Sequence, residues 1–186
     1  MIEPSREWQE VIELALRSCD IMLAYVTPDF RESRWCDQEV GWALGRELVV
    51  LPVKVEADPY GFFGTYQALP VSRGEQPRNT AMAVSRSLVL AIFGMQRPGA
   101  VTLIPRMANT VVEAFYASRT FETTIRRFEL LRLVPKSAWT ADHVTRIKMA
   151  LSENSKVRDC VLPLDPPTAV SRAVAELLSR MDRRFD

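Results

Sequence analysis

From residue 4 the chain reads PSREWQEVIELALRSCD, and Trp8, Val11, Ile12, Ala15 and Leu16 recur at the 3.6-residue period of a helix with one apolar face. Ser5 is its expected N-cap, with Glu7 in the first turn. IMLAYV (21–26) follows without alternation, the pattern of a strand covered on both faces. TPDFRES reads as a loop, because Pro28 has no N–H to give a ladder. Ser33 is the expected cap of a second helix running to about residue 47, with Cys36, Val40, Ala43 and Leu44 as its core stripe. LVVLPVKV is a second β-branched strand. EADPYGFFGTYQALP is loop-rich, with Gly61 and Gly64 as turn residues and a short strand near 66–69. Helix and strand alternate, which predicts α/β architecture with a parallel sheet.

Residues 71–79 (VSRGEQPRN) are polar and carry Gly74 and Pro77, so a boundary is expected there, between 1–75 and 76–186. Beyond it the pattern turns helical, over 79–95, 106–118, 120–133, 140–152 and 167–183, with breaks at RPGA, VPKSAW and LPLDPP. Thr140 reads as an N-cap with Asp142 in the first turn. TFETTIRRFELLRLV places Phe121, Ile125, Phe128 and Leu131 or Arg132 near one face, with Arg126 and Arg127 outward. A small helical bundle is the simplest reading of this part; a basic module sensing a partner or nucleic acid is the alternative.

Net charge is +1 and hints at neither nucleic acid nor a membrane surface. The halves differ: residues 1–70 hold 6 Lys/Arg and 12 Asp/Glu, hence −6, and residues 71–186 hold 18 and 11, hence +7. Such a split suggests two separate segments, with solvated surface as its plainer meaning and mutual attraction as the alternative. Cys19, Cys36 and Cys160 are odd in number and far apart, so neither a disulfide framework nor a metal site is implied, and a reducing cytoplasm fits. The opening MIEPSREWQE lacks the pattern of a secretory signal, and no apolar run reaches the ~20 residues of a membrane span. His143 is the only histidine, which disfavours Ser-His-Asp or Cys-His catalysis in the α/β part, and it reads as a surface residue of a helix first turn. No P-loop and no GxGxxG occurs.

In SRWCDQEVGWALGR (33–46), Trp35, Glu39, Trp42 and Arg46 share one side of the predicted helix. This helix follows a strand, and ligands in open parallel sheets bind outside the carboxyl ends of strands. Indoles flanking Glu39 would strip water from the carboxylate and raise its pKa. The plainer reading is a surface glutamate, with the two indoles packed on a neighbour.

The stretch CDIMLAYVTPDFRESRWCDQEVGWALGRELVVLPVKV, with DPYGF and YQAL after it, resembles the central and C-terminal part of a TIR (Toll/interleukin-1 receptor) domain of prokaryotic type. The resemblance covers roughly residues 2–70, and its most specific feature is S-x-W-C-x-x-E, here Ser33, Trp35, Cys36 and Glu39. It implies a partial flavodoxin-like parallel sheet over residues 1–75, followed by a helical C-terminal region over 76–186. It also implies NAD+ nucleosidase activity in bacterial signalling or anti-phage defence, with Glu39 catalytic and Trp35, Ser33 and Cys36 binding substrate. NAD+ is then the substrate, no cofactor or metal is required, and TIR–TIR self-association is expected, with no membrane or nucleic-acid partner. Trp42 and Arg46 match no catalytic position of the family.

One carboxylate suffices for this chemistry. Glycosidic cleavage passes through an oxocarbenium-like transition state, and nicotinamide leaves neutral, so no partner acid is needed. Glu39 would hold ribose hydroxyls and stabilise the growing positive charge. Trp35 would stack on a ring of the substrate, and the helix N-terminus near Ser33 would offer N–H groups to phosphate. A complete TIR domain opens with a strand, a helix and a second strand ahead of IEPSREWQEVIELAL, and the family draws on those pieces to bind NAD+. The expectation is therefore a chain truncated at its N-terminus, with impaired activity and a bared sheet edge. Completion of the sheet by a partner and a degenerate fragment are the competing accounts. A non-enzymatic TIR interaction module and a nucleoside deoxyribosyltransferase-like enzyme are the alternative functions.

Overall fold

The computed structural model describes residues 4–96 and 100–182. The chain forms two compact units, Met1–Leu88 and Val89–Asp186.

The first unit opens with α1 (Pro4–Ser18). This helix starts one residue ahead of the expected cap Ser5, as suits proline, whose fixed φ fits a first helical position. Then come β1 (Ile21–Val26), α2 (Pro28–Glu32), α3 (Arg34–Gly45), β2 (Val49–Lys54) and β3 (Leu69–Pro70). The strands run parallel in the order β1-β2-β3, with Leu23 level with Leu51 and Tyr25 with Val53. This bears out the α/β reading and the parallel sheet.

Two expectations fail locally. The stretch after β1 is not a loop but a short helix. The Thr27 hydroxyl accepts from the Phe30 N–H at 3.1 Å and Pro28 takes the first helical position, where its missing donor costs nothing. And β1 is not covered on both faces. Ala24 and Val26 are buried, whereas Leu23 is 49% and Tyr25 54% exposed. Among the described residues β1 pairs only with β2, so its outer edge and one face lack cover.

The covered face of the sheet packs on α3, where Ala24, Val26 and Val50 meet Val40, Ala43 and Phe63. On the other face Val53, Val55 and Val71 pack with Val84 of α4 (Pro77–Phe93). Each fully buried side chain of this kind contributes roughly 1.5–3 kcal/mol. The helix α4 starts near the expected boundary at 75–76, and the two compact units divide within it.

The second unit holds α5 (Ala100–Tyr116), α6 (Phe121–Leu131), α7 (Ala141–Glu153), α8 (Ser155–Arg158) and α9 (Val170–Asp182). The expected break RPGA falls largely on 97–99, outside the described residues. Six residues earlier than predicted, α5 begins ahead of Pro105, which sits inside the helix. The carbonyl that Pro105 leaves without a donor belongs to Val101, whose 78% exposure lets water take the place of the missing bond. Between α8 and α9 lies an unpredicted antiparallel pair, β4 (Val161–Leu162) and β5 (Thr168–Ala169). Two residues per strand are too few for a period-2 signal.

The core of this unit is built on Phe115, Phe128, Leu131 and Ile147, all nearly inaccessible. Arg127, expected to face outward, instead donates to the Ala114 carbonyl at 2.8 Å in the last turn of α5. Thr140 caps α7 as expected, its hydroxyl accepting from the His143 N–H at 3.3 Å. His143 itself is not a surface residue: it is 5% exposed, edge-on to Trp139 with ring centroids 6.0 Å apart. Its ring nitrogens are engaged by the Thr140 N–H at 3.2 Å and by Asn109 Oδ1.

Candidate functional site

In a parallel sheet the three carboxyl ends, Val26, Lys54 and Pro70, lie on one side. The segments leaving β1 and β2 meet there. Tyr60, in the loop after β2, donates its hydroxyl to Asp37 Oδ1 at 2.6 Å. The Arg31 guanidinium lies over the Tyr60 ring at 5.2 Å. Phe63 fills the space beneath, with centroids 5.6 Å from Tyr60 and 6.3 Å from Phe30. Burial, then the hydrogen bond to Asp37, pushes the Tyr60 phenol up to about 12. Gly61 permits this loop, since its φ of 59° is left-handed backbone that a side chain disfavours. The Asp37–Tyr60–Arg31 clamp was not singled out from sequence. Its signal was DPYGF, two aromatics flanking a glycine in the loop after a strand.

The clamp fixes the first turn of α3, which carries the sequence-predicted residues. Ser33 acts as expected, its hydroxyl accepting from the Cys36 N–H at 3.4 Å. Cys36 is half-buried and free. Glu39 is half-buried on the second turn, and among the described residues its carboxylate has no hydrogen-bond or ion-pair partner. Trp35 is 57% exposed and Trp42 40% exposed, so neither indole is a buried wall.

Trp42 and Arg46 have another task. Arg46 donates from Nη1 to the Leu16 carbonyl, and the Arg17 guanidinium stands 6.0 Å from the centre of the Trp42 ring. These two side chains hold the last turn of α1 against α3, where a cation suits the negative end of a helix. The four-residue face therefore divides: Trp42 and Arg46 anchor α1, leaving Trp35 and Glu39 one turn apart nearer the sheet's carboxyl end. Phe62, beside Gly61 in the loop after β2, is 91% exposed and adds an aromatic from a second loop.

Among the described residues no three His, Cys, Asp or Glu side chains converge as a metal site, and no helix is long and apolar enough to cross a membrane.

A parallel sheet with helices between its strands, and a carboxylate without a partner among the described residues on the second helix after its first strand, places this unit in the open α/β class. Residues 1–86 match the family model described as TIR domain. The α/β unit thus carries the match and is the TIR segment of the chain; a helical region follows it. Searches of curated proteins and of solved structures found no match.

Proposed function

We propose that the TIR segment is an NAD+ nucleosidase, of the kind that serves bacterial signalling or anti-phage defence, with Glu39 as its catalytic carboxylate. The observation that carries this reading is Glu39 itself: half-buried, without a partner among the described residues, one turn after Trp35, on the second helix after the carboxyl end of β1. A carboxylate already paired would have little negative potential to offer a sugar that turns cationic. In the proposed reaction the bond from ribose C1′ to the pyridinium nitrogen breaks, and its electron pair goes to nicotinamide. Water then adds at C1′ and releases a proton, which leaves ADP-ribose. Trp35 supplies a ring face to the substrate, and Ser33 and Cys36 shape the N-terminal turn beside it.

The test is NAD+ turnover by the full chain, wild type against Glu39→Ala and Glu39→Gln. Both variants are expected to lose at least ~10²-fold in rate, the size of effect seen when one charge-stabilising group is removed. Circular dichroism should be unchanged. Turnover that survives both substitutions overturns the assignment of Glu39, and base exchange on a sugar through a covalent intermediate points to a transferase instead.

A second reading, an interaction module working by self-association, draws on Leu23 and Tyr25, two large apolar side chains on an uncovered sheet face. No turnover, together with concentration-dependent assembly that Leu23→Ser abolishes, favours it.

A further inference from the structure

The second unit carries a groove of about 370 Å³, within the ~300–1,000 Å³ range of small-molecule sites. Its floor is apolar, with Phe128 and Leu162 buried and Leu177 beside them. Its charges are Arg132, just past the end of α6, and Arg172, Glu176 and Arg180, spaced four apart along α9. Opposite charges at this spacing on a solvated helix face readily pair. Here no ion pair joins Glu176 to Arg172 or Arg180 among the described residues, while Arg132 stands 3.5 Å from Glu129. Three guanidiniums and one carboxylate thus surround an apolar depression, and the α9 charges have not neutralised one another.

We propose that this groove binds a nucleoside monophosphate. The excess of guanidinium selects an anion, and the arginine fork matches phosphate through paired N–H donors. Glu176 selects further. Ionised, it only accepts, so its partner must bring donors, as ribose hydroxyls or an exocyclic amine do. The apolar floor takes the flat base. Inorganic phosphate would leave the floor empty, and a fatty carboxylate would leave Glu176 without a donor. An acidic peptide would set its own carboxylates against Glu176.

The experiment is calorimetric titration of the full chain with AMP, GMP, CMP and UMP, alongside adenosine, inorganic phosphate and decanoate. At least one nucleotide is expected to bind, with adenosine, phosphate and decanoate each weaker by about tenfold or more, the worth of one charged hydrogen bond. The double variant Arg172→Ala/Arg180→Ala should weaken that nucleotide by at least the same factor. Glu176→Gln should weaken it less. These residues are exposed, so the fold should survive, as circular dichroism can verify. No binding by any of the four nucleotides overturns the proposal. So does binding that the double arginine variant leaves intact, binding abolished by Glu39→Ala alone, or decanoate binding as tightly as nucleotide.

Discussion

Asn154 ties three pieces of the second unit together with one side chain, and its replacement tests how that unit holds. Its Nδ2 donates to the carbonyls of Tyr116 at 2.7 Å and Ser118 at 2.8 Å. Its Oδ1 accepts from the Lys156 N–H at 2.9 Å, which caps α8. The two carbonyls lie at and just beyond the end of α5, and Ser118 is 3% exposed, so water is poorly placed to replace the lost donor there. Each bond contributes a net ~1 kcal/mol, and the cap is one of the three. Asn154→Ala should therefore destabilise the unit by about 3 kcal/mol. Asn154→Ser keeps the cap and should lose about 2 kcal/mol. Asn154→Asp also keeps the cap but sets a carboxylate against two carbonyls, so it should cost at least as much as alanine. Hydrogen exchange of peptides from α5 and α8 is the assay, because it reports opening locally in a chain of two units. For Asn154→Ala, exchange should quicken by about two powers of ten. A change below about threefold in those peptides, or aspartate exchanging no faster than serine, would refute the reasoning.

Two further expectations follow from titrating groups. Burial holds the His143 imidazole below its ordinary value of 6.5, against a smaller opposing pull from Asp142. Nδ1 accepts from Thr140, so the folded unit requires the neutral ring. With a folded pKa below the unfolded one, the neutral-ring contribution is whole above about pH 6.5 and shrinks as pH falls from there toward the folded pKa. The difference in melting temperature between wild type and His143→Asn should narrow on acidification from about pH 7.5 to about pH 5, and a constant difference would contradict this. For Tyr60 the folded pKa of about 12 lies above the ordinary 10.0, so its contribution is whole below about pH 10 and is lost as pH rises toward 12. Tyr60→Phe removes the bond to Asp37 and should cost about 1 kcal/mol near neutrality in urea unfolding, a modest figure because the bond is exposed. It should also flatten the alkaline limb, and an unaltered limb would exclude the clamp.

The elements of the first unit were legible because their signals are local. Apolar runs of six residues marked β1 and β2, and Ser33 marked the start of α3 by its own hydrogen bond to Cys36. Glu39 and Trp35 were legible as a pair because helix geometry alone sets residues four apart on one side. What Trp42 and Arg46 do was not, since Arg46 meets the Leu16 carbonyl 30 residues away in the chain and Trp42 meets Arg17 on the same helix. Tyr60 and Asp37 are separated by 23 residues and meet only when the loop after β2 folds against the first turn of α3. His143 was misplaced for the same reason. A first-turn histidine is usually wet, and only the approach of Asn109, 34 residues earlier, encloses it.

By itself the sequence determined α1, β1, α3 and β2 in the TIR segment, though not the short α2, that its sheet is parallel, and where one candidate carboxylate lies along a helix. Those follow from periodicity, capping and strand composition, which act over a few residues. The tertiary structure decided which face of β1 is left uncovered, which side chains pin α1 to α3, and that arginines and a glutamate ring an apolar groove around Phe128. Burial and pairing depend on what arrives from distant parts of the chain, and no local pattern encodes that arrival.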